Sequence, residues 1–175
     1  MPARGSPWGL TLPELLIALA VVALLAALAT PSFRELRRRA GLSAAVNQMV
    51  GALHYARSVA ILRSVPTVVC LTADGSQCVE REDIPAHGWL VFSDLERSSP
   101  VRLDAGDELL RTYRLSSGLT ATGTRTALTF WPVTRAGTTG TFTFCSAGRQ
   151  PRGRAVVVSR VGRPRAVQGE VPCQP

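Results

Sequence analysis

Six arginines, Arg149, Arg152, Arg154, Arg160, Arg163 and Arg165, fall in the last third of the chain, which also holds Arg125 and Arg135. A guanidinium presents a rigid, planar fork of donors that matches two phosphate oxygens at once, so such a cluster is equipped to bind polyanions. Position matters more than total charge. Residues 121–175 carry eight arginines against one acid, Glu170, a balance of +7. Residues 61–120 carry six arginines against nine acids, a balance of −3. The asymmetry predicts a localised anion-binding surface, with a solvated basic tail as the competing reading. All 20 basic residues are arginine, for which GC-rich coding is an equally open explanation.

Catalytic chemistry finds little support. His54 falls in a helical pattern and His87 precedes a strand-like run, the carboxylates are scattered, and no nucleophile-elbow, phosphate-loop or His-Glu zinc motif occurs. Cys70, Cys78, Cys145 and Cys173 include no Cys-x-x-Cys pair, which argues against a metal centre. No enzyme activity and no cofactor are expected.

The remaining chemically pointed residue is Glu14, at the start of an apolar run. Leu15 to Ala29 are fifteen consecutive apolar residues, preceded by Gly9 and Leu10. Taken from Leu10, the stretch would be about 30 Å long as a helix, enough to span a bilayer. An ionisable group at such a place is expensive, and so points to function. Arg4, the apolar run and Ala27-Leu28-Ala29 also fit a cleaved secretory signal. Against cleavage there, Phe33, Leu36, Ala40, Ala44, Met49, Leu53, Ala56 and Ala60 recur at helical spacing, which predicts one long helix ending near Arg63. Pro31 is expected to kink that helix without ending it.

These elements must hold the arginines in place. Strand-like runs follow at 67–72, 88–93, 109–115, 127–131, 141–145 and 155–161, separated by turn signals at Asp74-Gly75, Ser117-Gly118 and Ala136-Gly137. The predicted fold is α+β: a long N-terminal helix, its first half membrane-spanning, packed on a C-terminal antiparallel β-sheet. In the basic third the pattern reads as a loop with Arg149, Arg152 and Arg154, a strand, and a turn at Gly162-Arg163-Pro164-Arg165 before a last short strand. A Gly/Pro turn holds its flanking side chains at a tip, so Arg163 and Arg165 can reach phosphates with little ordering cost.

Gly9, Leu10, Glu14 and the helix behind them resemble the type IV pilins and the pseudopilins of type II secretion. In that family a short leader ends in glycine, a prepilin peptidase cuts after it on the cytoplasmic side, and the new amino terminus is methylated. The resemblance implies cleavage between Gly9 and Leu10, with Glu14 as the fifth mature residue, placed to neutralise the terminal amine of a neighbouring subunit. Leu10 stands where phenylalanine is usual and Pro13 where an aliphatic residue is commoner. The Gly-Arg-x-Arg turn and "HGWLVFSD" (87–94) resemble the GspH/FimT group, in which a minor pilin binds DNA during natural transformation.

The resemblance therefore implies a leader over 1–9, a transmembrane and assembly segment over 10–30, and a periplasmic pilin domain over 31–175. It implies a single-pass inner-membrane protein that passes into a pilus filament or its tip. Its partners would be double-stranded DNA, other major and minor pilins, the prepilin peptidase and, before assembly, the inner membrane. Under this reading DNA is bound through Gly162, Arg163 and Arg165, with Arg160, Arg149, Arg152 and Arg154 nearby. The alternative is a GspH-like minor pseudopilin of type II secretion, structural and without DNA binding. On the exported side, the even cysteine count predicts two disulfides. Four cysteines allow three pairings. Cys70 with Cys78 would staple the hairpin around Asp74-Gly75, and Cys145 with Cys173 would tie the tail to a strand.

Overall fold

The computed structural model describes residues 11–133, 138–146 and 152–173, with the backbone alone given for 27–32, 34 and 152. A single helix, α1 (Leu12–Arg63), opens the chain and continues through Pro31. Leu- and Ala-rich composition favours it, and Glu14 in its first turn and Arg63 in its last complement the helix dipole. Pro13 is tolerated because first-turn amides lack intrahelical acceptors.

The chain divides between Arg38 and Arg39 into two units. In the first, every described apolar side chain from Leu12 to Ala26 is exposed, and the guanidinium of Arg38 grips the Glu35 carboxylate through two hydrogen bonds, of 2.7 and 2.8 Å. Among the described residues no helix is long and apolar enough to cross a membrane. Leu10 and the side chains of 27–30, which complete the expected span, lie outside the described residues.

In the second unit, α1 turns one stripe inward: Leu42, Ala45, Val46, Met49, Ala52, Leu53, Ala56, Val59 and Ala60 are buried. Of the face expected from periodicity, Met49, Leu53, Ala56 and Ala60 are inside, whereas Phe33, Leu36, Ala40 and Ala44 are exposed. In this unit the buried stripe begins only at Leu42.

The expected single sheet is two antiparallel sheets. One has the order β3-β2-β1-β5, formed by β1 (Thr67–Thr72), β2 (Gly88–Ser93), β3 (Glu108–Arg114) and β5 (Ala127–Phe130). The other has the order β4-β6-β7-β8, formed by β4 (Leu119–Gly123), β6 (Gly140–Ser146), β7 (Arg152–Val158) and β8 (Pro164–Ala166), with β9 (Val171–Pro172) also pairing to β7. An Ala86–Ala121 bridge links their neighbourhoods. Inward residues of both sheets, among them Val69, Leu71, Trp89, Leu128, Phe142, Phe144 and Val156, share one core with the helix stripe. Trp89 stacks on Tyr113 at 5.2 Å and meets Phe144 edge-on at 5.8 Å.

β1 and β2 are buried along their whole length, which their nearly continuous apolar runs foreshadow. Their outer face forms a second small core: Val68, Cys70, Leu90 and Phe92 lie under Val101 and Leu103. The strand β4, "LTATG", has no counterpart among the strand-like runs of the sequence, because its small residues and threonines follow a turn and lack the aromatic signal of its neighbours.

Both disulfides pair sequential cysteines. Cys70 joins Cys78 with Cα atoms 5.6 Å apart, and Cys145 joins Cys173 at 5.9 Å. A Cβ at position 153 would lie 2.8 Å from Cys173 Sγ, so Gly153 makes room for the second bridge. Thiol titration of the unfolded, unreduced protein is expected to find no free cysteine. The loops closed span 8 and 28 residues. Chain entropy then predicts that removing the Cys145–Cys173 bridge costs about 3.5 kcal/mol and removing Cys70–Cys78 about 2.5 kcal/mol, and urea unfolding of the two double Cys→Ser variants checks that order.

Candidate nucleic-acid interface

The arginine turn joins β7 to β8. Its register pairs Val158 with Pro164, Val157 with Arg165 and Val156 with Ala166. Val156 and Val158 are core residues, so strand alternation sends Val157 and its partner Arg165 to the opposite face. Pro164 is buried between two exposed arginines, Arg163 and Arg165. Proline fits there because β8 is an edge strand.

Local chemistry closes the turn. Gly162 N–H donates to the Ser159 carbonyl at 2.8 Å, Ser159 N–H to the Arg163 carbonyl at 3.1 Å, and Arg163 N–H to Ser159 Oγ at 3.3 Å. Gly162 has φ +70°, a conformation that costs residues with a Cβ. A Cβ there would also stand 3.4 Å from the Phe130 ring and 3.6 Å from Arg57 Nη1. Arg57, on α1, donates from Nη1 to the carbonyls of both Val161 (3.0 Å) and Gly162 (3.1 Å). A cation on the helix thus clamps the turn that presents the arginines.

Arg160, Arg163 and Arg165 are exposed, and among the described residues no carboxylate forms an ion pair with any of them. Three of the six arginines of the acidic middle are ion-paired: Arg63 with Glu108, Arg81 with Asp83 and Arg102 with Asp104, each at 2.7 Å, while Arg97 and Arg114 are exposed and form no ion pair among the described residues. Hydrogen bonding from Arg81 holds the Asp83 carboxyl below its usual range, and hydrogen bonds from Ser98 and then Arg102 do the same for Asp104. Arg111 lies 4.2 Å over the Tyr55 ring.

Two residues expected in a loop lie on a strand instead. Arg154 is not in a loop: it lies within β7, half-buried, and its Nη1 donates to Ser43 Oγ on α1 at 2.8 Å. It ties sheet to helix. Arg152 likewise opens β7 and pairs with Pro172, and its side chain lies outside the described residues. Arg149, Gly9 and Leu10 also lie outside them, while Glu14 is exposed in the first turn of α1. His54 and His87 are exposed, and no group of acidic, His and Cys residues able to hold a metal occurs among the described residues. "HGWLVFSD" serves the fold: it is β2 with its flanks, and Asp94, its carboxyl pushed up chiefly by burial, accepts the Arg97 N–H at 2.6 Å. Arg57 escaped sequence reasoning, since nothing near it hints at a partner more than 100 residues away.

A long helix packed along its C-terminal part on antiparallel sheets is the architecture of pilin-like proteins. The type IV minor pilin FimU of Pseudomonas aeruginosa matches with TM-score 0.53 and 23% identity, over 75% of this chain and 96% of its own. The minor pseudopilin EpsH from the type 2 secretion system of Vibrio cholerae matches with TM-score 0.52 and 14% identity, over 72% and 95%. No curated protein sequence matches significantly. The profile of the family described as type II transport protein GspH matches residues 45–162, and the chain belongs to this family, in the GspH/FimT group of the type IV pilin and pseudopilin superfamily. The match ends at Gly162, just before Arg163 and Arg165.

If Arg57 clamps the turn, Arg57→Gln should speed hydrogen exchange at the Gly162 amide about 5- to 30-fold, as expected for losing charge-assisted bonds worth about 1–2 kcal/mol. An unchanged rate would show that the two bonds contribute nothing. Gly162→Ala should lower stability by about 1 kcal/mol through its left-handed backbone, measurable by thermal unfolding.

Proposed function

We propose that this protein is a minor pilin that binds double-stranded DNA without sequence preference through its C-terminal arginine hairpin, in DNA uptake for natural transformation. The observation that carries the reading is the clamped turn with Arg160, Arg163 and Arg165 exposed and free of carboxylate partners among the described residues. Arginines at a hairpin tip meet phosphates, which contribute affinity but no sequence information, whereas base readout needs an element seated in a groove. Arg149 and Arg152 extend the cationic region in this proposal.

The same proposal makes 1–9 a leader removed by prepilin peptidase and 10–30 a single inner-membrane span, with 31–175 periplasmic until the subunit enters a filament or its tip among other pilins. Glu14 then serves assembly, as the counter-charge to a neighbour's amino terminus. A second reading, a structural pseudopilin of type II secretion, is favoured by the extent of the family match. Residues 45–162 include the helix stripe from Ala45 onward and most of both sheets but neither Arg163 nor Arg165.

The mature protein, isolated from membranes, is expected to begin at Leu10 with a methylated amine, as read by intact mass. A start at Thr30 would refute the pilin processing. Glu14→Leu should insert in the membrane normally yet fail to enter filaments, and normal incorporation would remove the role given to the carboxylate.

DNA binding must weaken as salt rises. If Arg163 and Arg165 each neutralise one phosphate, changing both to Gln should reduce the slope of log K against log salt by about 1.8 units, at about 0.9 per contact. Arg97 and Arg102, in the acidic middle, are the control pair and should change binding much less. Absence of duplex binding even at low salt, or equal effects of the two pairs, would favour the secretion reading.

A further inference from the structure

Trp131 is 42% exposed, and among the described Phe, Tyr and Trp residues of the second unit it alone is exposed. Its counterpart Trp89 is fully buried, so this indole is not spent on the core. Trp131 directly follows Phe130, whose ring borders Gly162 at the arginine turn. Consecutive Cα atoms are about 3.8 Å apart, which puts Trp131 at the same end of the unit as Arg160 and Arg163. Val161, within the turn, is 54% exposed as well. This end of the unit thus carries exposed arginines and an exposed indole.

Arginine alone suits a phosphate backbone of either form of DNA. A neighbouring exposed indole adds something a closed duplex cannot use, because its bases are stacked on one another and offer no free face. An unpaired base does offer one. Stacking on an aromatic side chain tolerates any base, since every base has a π-face, and it works alongside cationic contacts to the strand.

We infer that Trp131 is a stacking platform for unpaired bases beside the arginine turn, so that the tip engages single-stranded DNA, including frayed ends, in addition to duplex. The inference rests on the DNA-binding reading above but is separable from it, since the arginines serve both forms of DNA and the indole serves one. A protein neighbour seated on Trp131 is the competing occupant, and the unpaired arginines beside it favour a polyanion.

The test uses the full chain in detergent with two probes, an oligothymidylate single strand and a duplex whose ends are closed by hairpin loops. Oligothymidylate should quench the indole emission that is lost in Trp131→Phe. Trp131→Ala should weaken oligothymidylate binding about 5- to 100-fold, with closed-duplex binding changed by less than about twofold. Trp131→Phe should keep most of the single-strand affinity. If Trp131→Ala leaves single-strand binding unchanged while Arg163→Gln with Arg165→Gln still weakens duplex binding, the stacking role is wrong and the arginine reading stands. Equal weakening toward both probes would also overturn it, by showing a general effect on the tip. A variant that keeps DNA binding but no longer co-purifies with other pilins would assign Trp131 to a protein neighbour. Wild-type protein that binds neither probe would sink both readings.

Discussion

The stripe from Leu42 to Ala60 on α1 is the interaction on which the rest of this structure depends. Two sheets of four and five strands share one apolar core with it. Small residues, Ala45, Ala52, Ala56 and Ala60, let strands approach the helix closely, while Val46, Met49 and Leu53 fill the space between. Each large side chain so buried contributes about 1.5–3 kcal/mol, and the dense packing leaves little room for a larger residue at an alanine. Without the helix, the inner faces of both sheets would be exposed to water.

The same helix disciplines the candidate site. Arg57 reaches from α1 to two carbonyls of the β7–β8 turn, and Arg154 reaches from β7 to Ser43 of α1. One is a cation from the helix held by the sheet's turn, the other a cation from the sheet held by the helix. Both are spent on positioning. What the basic turn leaves for a ligand is Arg160, Arg163 and Arg165, on a backbone held by the Arg57 and Ser159 hydrogen bonds, with Gly162 supplying the left-handed conformation the turn needs. Preorganised donors of this kind lose less entropy on binding than the same side chains in a tail.

The GspH-family match and the arginine hairpin divide the chain unequally. Residues 45–162 hold the helix stripe from Ala45 onward and the strands up to the turn, which is the part shared with a scaffold. Charge follows another logic. Carboxylate partners consume Arg63, Arg81 and Arg102 in the middle of the chain, whereas Arg160, Arg163 and Arg165 have none among the described residues. A common fold can thus carry either a structural or an anion-binding role, depending on a few exposed side chains near its end.

Sequence by itself determined the elements whose causes are local: the helix from its apolar period, β1 and β2 from their apolar runs, the β7–β8 turn from Gly162 and Pro164, and the resemblance carried by Gly9, Leu10 and Glu14. It misjudged β4, whose small residues carry little propensity, and it read a helix face from Phe33 to Ala44 whose side chains are exposed. Tertiary structure decided the division into two sheets and the choice among three disulfide pairings. It also decided the fates of Arg57 and Arg154. Those outcomes join residues far apart in the chain, as with Arg57 and Val161 at a separation of 104. A guanidinium's role depends on which carbonyl, hydroxyl or carboxylate the fold brings within about 3 Å, and no local pattern records that distance.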